Sequence, residues 1–347
     1  MHITSKRYSS NAEAAAPHGE RGITFIEVMV ALFLVSIVSI LYYSLYIGTM
    51  RVNMFLESHN DLTTVGQRSV NRIKDEITQS RTLFQDDTVG RDYVSALAIP
   101  AGRPVLPGTL LPLIDSTGTL VPDTSTRRVG NSMLLAREEQ PLSLTIDHDG
   151  DPGTADVEFL ADRYHFEYLY LTRNTDRSLR GLGYYLELIQ ARSGVYADYF
   201  QLSGLPVTTL QAVASDLVAA GITVAWDPGQ PANLAFYTIG VGGTLTGPLS
   251  HTIALPEVAS MMPEFRGGRV EGNMVYSVGV QTDPPLPTSD PVNLFAQASG
   301  TFPGGFESLI VGPASSRKAL VRLVLVGEYA DKINSSVNTV VATTSEF

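Results

Sequence analysis

The chain contains no cysteine. That removes thiol catalysis, Cys zinc sites and a disulfide framework, and it leaves the compartment open. Charge is scarce: 17% of the 347 residues are Asp, Glu, Lys or Arg, against roughly 25% in an ordinary soluble domain. Basic residues are outnumbered, 24 to 35, for a net charge of −11. Such a balance argues against a phosphate-binding surface, so no nucleic acid partner is expected. Catalytic motifs are missing too: there is no HExxH, no GxSxG, no P-loop and no GxGxxG between strand and helix. The six His residues (2, 18, 59, 148, 165 and 251) show no pairwise metal spacing on one element. The chain is therefore read as a non-enzyme that requires no cofactor. A hydrophobic share of 44% rules out a disordered chain. The 30 Gly and 20 Pro point to many turns and a β-rich body.

Proline itself is unevenly spread, with none between Pro17 and Pro100. Within that gap residues 28–50 read VMVALFLVSIVSILYYSLYIGTM, 23 residues without a charge. As a helix this run spans roughly 35 Å, enough to cross a hydrocarbon core of about 30 Å. Lys6, Arg7 and Arg21 precede it against Glu13 and Glu20, a balance of +1, while the remainder sums to −12. A basic front end stays in the cytoplasm, so most of the chain is expected on the far side of a membrane. A cleaved secretory signal would show small residues after the run. Thr49, Met50, Arg51, Val52 and Asn53 stand there instead, and Ala14-Ala15-Ala16 lies on the wrong side. The anchor is read as retained.

Glu27 stands at the start of this run with no basic residue at helical spacing before Arg51. A carboxylate in lipid costs a few kcal/mol unless paired. One reading keeps Glu27 solvated at headgroup depth, complementing the helix dipole. Its neighbours supply a second. The stretch Arg21-Gly22-Ile23-Thr24-Phe25-Ile26-Glu27-Val28-Met29 closely resembles the processing motif of type IV pilins and type II secretion pseudopilins. Features shared with that motif are a basic leader ending in Gly, a hydrophobic residue, Thr, then Glu five places after the cut, then a long apolar helix. The resemblance is specific over about residues 19–50.

The family resemblance implies that a prepilin peptidase cuts between Gly22 and Ile23 on the cytoplasmic face and methylates the new amino group of Ile23. Glycine at the cut lets the backbone enter a narrow protease site. Glu27 would then pair with the positive N-terminus of a neighbouring subunit. Partners implied are the peptidase, other pilins or pseudopilins through the N-terminal helix, and the inner membrane before assembly. The implied location is the bacterial inner membrane, single pass with a cytoplasmic N-terminus, then the periplasm or a pilus filament. Ile23, where major pilins usually have Phe, and a 22-residue leader fit minor members better.

Past the membrane, Leu62, Val65, Val70, Ile73, Ile77 and Phe84 recur at near-helical spacing, with Arg68, Arg72, Lys74, Asp75 and Glu76 on the other surface. One helix is expected from Ile23 to Phe84, with Gly48 and Gly66 as candidate bends. The expected fold is α+β and pilin-like: a long N-terminal helix, half in membrane and half packed on an antiparallel β-sheet head. Its expected divisions are a leader at 1–22, a transmembrane or filament-core helix at 23–50, an amphipathic continuation at 51–84 and a head at 85–347. Expected strands are Ser132–Arg137, Leu142–Asp147, Val157–Leu160, Tyr164–Leu171, Gly183–Gln190, Thr223–Trp226, Leu234–Ile239, Met274–Val280 and Leu320–Tyr329. Leu210–Ala220 reads as a helix stopped by Gly221, and Thr282–Pro291 as an exposed loop. Tyrosines crowd between Tyr164 and Tyr199, which reads as strand-face packing with wet hydroxyl ends rather than as a binding surface. The large head is similar to that of a W-type minor pilin or a J-type minor pseudopilin.

The loop Asp147 to Glu158 (DHDGDPGTADVE) has two readings. Asp147, Asp149 and Asp151 fall at positions 1, 3 and 5, Gly153 at position 7 and Glu158 at position 12, which matches the calcium-ligand spacing of an EF-hand. Pro152 stands where that motif needs Gly, and strands replace the flanking helices. The competing reading is an acidic hairpin loop. For the whole chain, the alternative to a filament subunit is a signal-anchored ectodomain that never polymerises, an adhesin or an envelope enzyme.

Overall fold

A computed structural model describes residues 23–106, 109–115, 130–147, 156–179, 183–230, 234–261, 306–312, 317–329 and 332–343. The chain divides into two compact units, one ending at Met54 and the other starting at Phe55. Helix α1, Phe25–Thr78, runs through the boundary as one element. It ends at Thr78 and does not reach Phe84 as expected. Ser80 turns its hydroxyl back to the Ile77 carbonyl at 2.7 Å, and the chain enters strand β1, Ser80–Leu83. Phe84 belongs to the head core instead, its ring 4.5 Å from that of Tyr93. Neither Gly48 nor Gly66 interrupts the helix.

The first unit is apolar helix with no cover. From Ile23 to Met50 every side chain but Ile47 is exposed. Ser36 and Thr49 return their hydroxyls to the carbonyls of Leu32 and Leu45, at 2.7 and 2.9 Å. That satisfies them inside the helix and leaves the surface apolar.

In the second unit β1 is followed by α2 (Thr88–Ala96), β2 (Leu97–Ala98), β3 (Ile114–Asp115), β4 (Met133–Ile146), β5 (Val157–Leu179) and β6 (Gly183–Asp198). Then come α3 (Tyr199–Ser203), α4 (Val207–Ala219), β7 (Val224–Trp226), β8 (Phe236–Gly240), β9 (Thr244–Leu249), β10 (Ile253–Ala254) and β11 (Glu257–Ser260). Strands β12 (Phe306–Val311), β13 (Lys318–Tyr329) and β14 (Lys332–Thr343) complete it. The main sheet has the order β1-β4-β5-β6-β7-β8-β9, with β11 also on β6. A second sheet has the order β14-β13-β12-β3, and β2 pairs β10. Most pairings are antiparallel; β6–β7, β12–β3 and β2–β10 are parallel.

Two pairs of expected strands are fused. Ser132–Arg137 and Leu142–Asp147 form the single strand β4, with an irregularity between Glu139 and Leu142 where Pro141 sits. Val157–Leu160 and Tyr164–Leu171 are likewise both parts of β5. The expected Met274–Val280 strand and Thr282–Pro291 loop lie outside the described residues. Helix α4 starts at Val207, ahead of Leu210, and the chain leaves it through Gly221 at φ +84°, a conformation that favours glycine.

Alternation along the central strands separates two cores. Met133 and Leu135 of β4, Leu169 and Leu171 of β5 and Leu188 of β6 face one way. They meet Leu62, Val65, Val70, Ile73 and Ile77 of α1, with Phe306, Val321, Leu323 and Leu325 of the second sheet. Each such buried side chain stabilises the fold by about 1.5–3 kcal/mol. Leu134, Ala136, Phe166, Tyr168 and Ile189 face the opposite core with Tyr93 and Trp226. A sheet covered on both faces explains the continuous apolar stretches Met133–Ala136 of β4 and Tyr168–Leu171 of β5. A third cluster places Val213, Ala214 and Leu217 of α4 over Leu144, Ala197 and Ala225.

Candidate functional site

The helix start has a defined local geometry. Thr24 precedes the first helical residue, and its backbone N–H donates to Glu27 Oε2 at 2.8 Å. The Glu27 N–H donates back to Thr24 Oγ1 at 3.3 Å. This reciprocal arrangement is a capping box, which satisfies two of the orphan donors of a helix terminus. Within one chain, then, the Glu27 carboxylate is a cap rather than a bare charge. It is exposed, as are Ile23 and the apolar side chains that follow. Tyr42, Tyr43 and Tyr46 stand near the far end of the apolar run, all exposed, where an aromatic belt meets headgroups in a membrane span. Gly22, the other half of the expected cut, lies outside the described residues.

A family model, the prokaryotic N-terminal methylation motif, matches residues 17–43. In this segment the chain resembles type IV pilins and pseudopilins. The match spans both sides of the expected cut and the first turns of α1. No curated protein and no solved structure matches the chain significantly. The pilin-like plan extends to the whole fold, which is a long N-terminal apolar helix followed by a largely antiparallel β head. Motif and apolar helix fit a single-pass inner-membrane anchor.

The head of this pilin-like chain holds a cluster that sequence reasoning did not find. On the α1-facing side of the sheet, the apolar rows of β4, β5 and β6 give way to Arg137 and Glu139, His165 and Glu167, and Gln190 and Arg192. Register brings them together: Arg137 is opposite His165, and Glu167 is opposite Arg192. Glu76 comes down from α1 to pair with Arg137, which also holds Gln79. His165 is buried between two carboxylates, with Nε2 2.8 Å from Glu167 Oε1 and Nδ1 3.0 Å from Glu139 Oε1. Arg192 reaches both of these acids, at 3.3 Å each.

Burial and the nearby Glu167 charge hold the Glu76 carboxyl above the ordinary carboxylate range, against the pull of Arg137. Burial pushes Glu167 the same way. Hydrogen bonds from His165 and Gln190, with the charges of His165 and Arg192, outweigh it, so Glu167 lies below that range. The arrangement ties the last turns of α1 to three strands. A signal for it was present in Tyr164-His165-Phe166-Glu167-Tyr168. Such alternation ordinarily means a solvated polar face, but here α1 covers it.

The tyrosines behave as packing groups. Tyr164, Tyr168, Tyr170 and Tyr196 are buried, and Tyr164 donates to Asp198 Oδ2 at 2.8 Å. Of the expected calcium ligands, Asp149, Asp151 and Gly153 lie outside the described residues. Glu158, on β5, accepts from Ser143 Oγ at 2.7 Å, and Asp147 follows the last residue of β4. Among the described residues no group of three His, Asp or Glu side chains is placed to hold a metal.

Proposed function

We propose that the chain is a minor pilin or minor pseudopilin, processed by a prepilin peptidase and built into a type IV pilus or type II secretion pseudopilus near its tip. The observation that carries this reading is the methylation motif at residues 17–43 leading directly into α1. A basic leader holds the N-terminus in the cytoplasm. The peptidase removes residues 1–22 and methylates Ile23. The uncovered apolar surface of residues 23–50 is dissolved first in lipid and then among the same surfaces of neighbouring helices. In that second environment Glu27 accepts the freed N-terminus of the next subunit, and the capping box positions its carboxylate on the first turn. The work is non-covalent, that of a structural subunit. A large head crowds its neighbours in a long fibre, which favours a tip or priming position.

Mass spectrometry of the mature chain from its native host tests this. The expected mass lacks residues 1–22 and carries a methyl group on Ile23. A chain that retains Met1 through Gly22 overturns the reading in favour of a signal-anchored ectodomain. Glu27→Ala should abolish incorporation into fibres while membrane insertion persists. Normal incorporation of that variant would remove Glu27 from the account.

A further inference from the structure

The unpaired edge of a β-sheet presents a row of N–H and C=O groups to any extended chain that approaches it. Most sheet edges of this head are closed to such use. Strands β1 and β11 have four residues each, and β3 has two. Strand β9 has six, but one of them is Pro248, which has no N–H to offer. Strand β14 differs from all of these. It runs for 12 residues, about 40 Å. It pairs with β13 at every position from Lys332 opposite Tyr329 to Thr343 opposite Lys318, with no bulge. It forms one end of the second sheet, and among the described residues no strand pairs with its other edge.

Alternate residues of β14 commit their N–H and C=O groups to β13, and those between direct theirs outward. Residues 333–343 contain no charge, no proline and no glycine, and Val337, Thr339, Val340, Val341 and Thr343 are β-branched. The usual guards of an edge are thus absent from the length of this strand. Ala342 packs into the core under α1, whereas Val341 is 49% exposed.

Charge selects the occupant. Each chain carries a net −11, so two copies repel along most lines of approach. Along β14 they do not. Antiparallel pairing of two β14 strands sets uncharged residues against uncharged residues and leaves the two Lys332 side chains at opposite ends. A two-fold axis across the edge also closes the assembly, because each copy covers the edge of the other.

We propose that β14 pairs antiparallel with β14 of a second copy of this chain, joining the second sheets of two heads into one. The pairing depends neither on processing nor on incorporation into a fibre. The chain has no cysteine, so one introduced thiol carries one spin label. Ser335→Cys, Val337→Cys, Thr339→Cys and Val341→Cys are labelled singly in the full-length protein in detergent, and label-to-label distances are read by double electron–electron resonance. In an antiparallel pair that distance grows by twice the strand rise, about 7 Å, for each residue away from the two-fold axis. The expected series therefore climbs by about 14 Å for every two residues away from the axis. Equal distances at all four positions overturn the assignment. So does the absence of coupling at every position, which leaves the edge to a different polypeptide. Val340→Pro and Val341→Pro remove N–H groups on opposite sides of the strand. Whichever of them keeps the unfolding transition of the head should lose the coupling of the label at Val337→Cys. Coupling that survives in that variant also overturns the pairing.

Discussion

Helix α1 is one element in two environments. From Ile23 to Met50 its side chains are apolar nearly all round, and all but one are exposed. From Ser58 to Ile77 it is apolar on one stripe only, and that stripe is buried in the head. The first half requires a solvent that the chain does not supply, whereas the second makes its own. A helix apolar on every side signals lipid or a fibre interior, while one apolar at every third or fourth place signals a protein core. The two modes meet without a break in the helix.

The same substitution placed in each half should therefore fail in different ways. The largest effect is expected from Ile73→Arg, which buries an unpaired charge in the head and should cost upwards of about 4 kcal/mol. The check is loss of the cooperative unfolding transition of the head. Leu34→Arg should leave that transition unchanged and instead cost membrane insertion about 3 kcal/mol, read from the fraction of chain recovered with membranes. Next comes Arg137→Met. It leaves buried Glu76 beside Glu167 without the guanidinium that pairs with it, while Arg192 and His165 still hold Glu167, and should cost about 3–5 kcal/mol in chemical denaturation. Asp87→Ala should cost about 1 kcal/mol, since Asp87 Oδ1 accepts from the Gly90 N–H at 2.8 Å and caps α2.

The most gradual effect concerns pH. Burial pushes the phenols of Tyr93, Tyr170 and Tyr196 up to about 12, while the unfolded chain ionises them near 10. The folded head then binds more protons than the unfolded one between those values. Stability should be intact below pH 10 and fall as pH rises through 12. Absorbance at 295 nm against unfolding midpoint checks this, and a titration that ends near pH 10 with the head still folded contradicts it.

Much of this contrast was legible in the residues. The apolar run, the acid at position 27 and the stripe from Leu62 to Ile77 are local patterns, and the helix follows them. Its end was less legible, because Phe84 keeps the helical spacing by chance while serving the aromatic core beside Tyr93. The fused strands were obscured by Glu138-Glu139-Gln140-Pro141, a polar run that a long strand absorbs at an irregularity in its pairing. Strand β14 has little strand character in Ile333-Asn334-Ser335-Ser336, yet all 12 of its residues pair with β13. Helix α2 was hidden by Gly90, which the site demands: a Cβ there would meet the Gln85 carbonyl oxygen at 1.9 Å. The polar cluster was the least legible feature. It draws Glu76, Arg137, Glu167 and Gln190 from a helix and three strands, and no short pattern carries such a meeting.

The core under α1 joins Leu62 with Leu325 and Ala342, the near and far ends of the head. A ribosome delivers those partners in order, the helix early and β13 and β14 last. Under the membrane-anchored reading proposed above, β4, β5 and β6 reach the stripe on α1 first, and the last part of its cover waits until almost the whole polypeptide has been exported. Non-local closure of this sort is slow and leaves adhesive surface open meanwhile. Early termination anywhere before β13 then leaves that stripe covered by the main sheet but without Val321, Leu323 and Leu325.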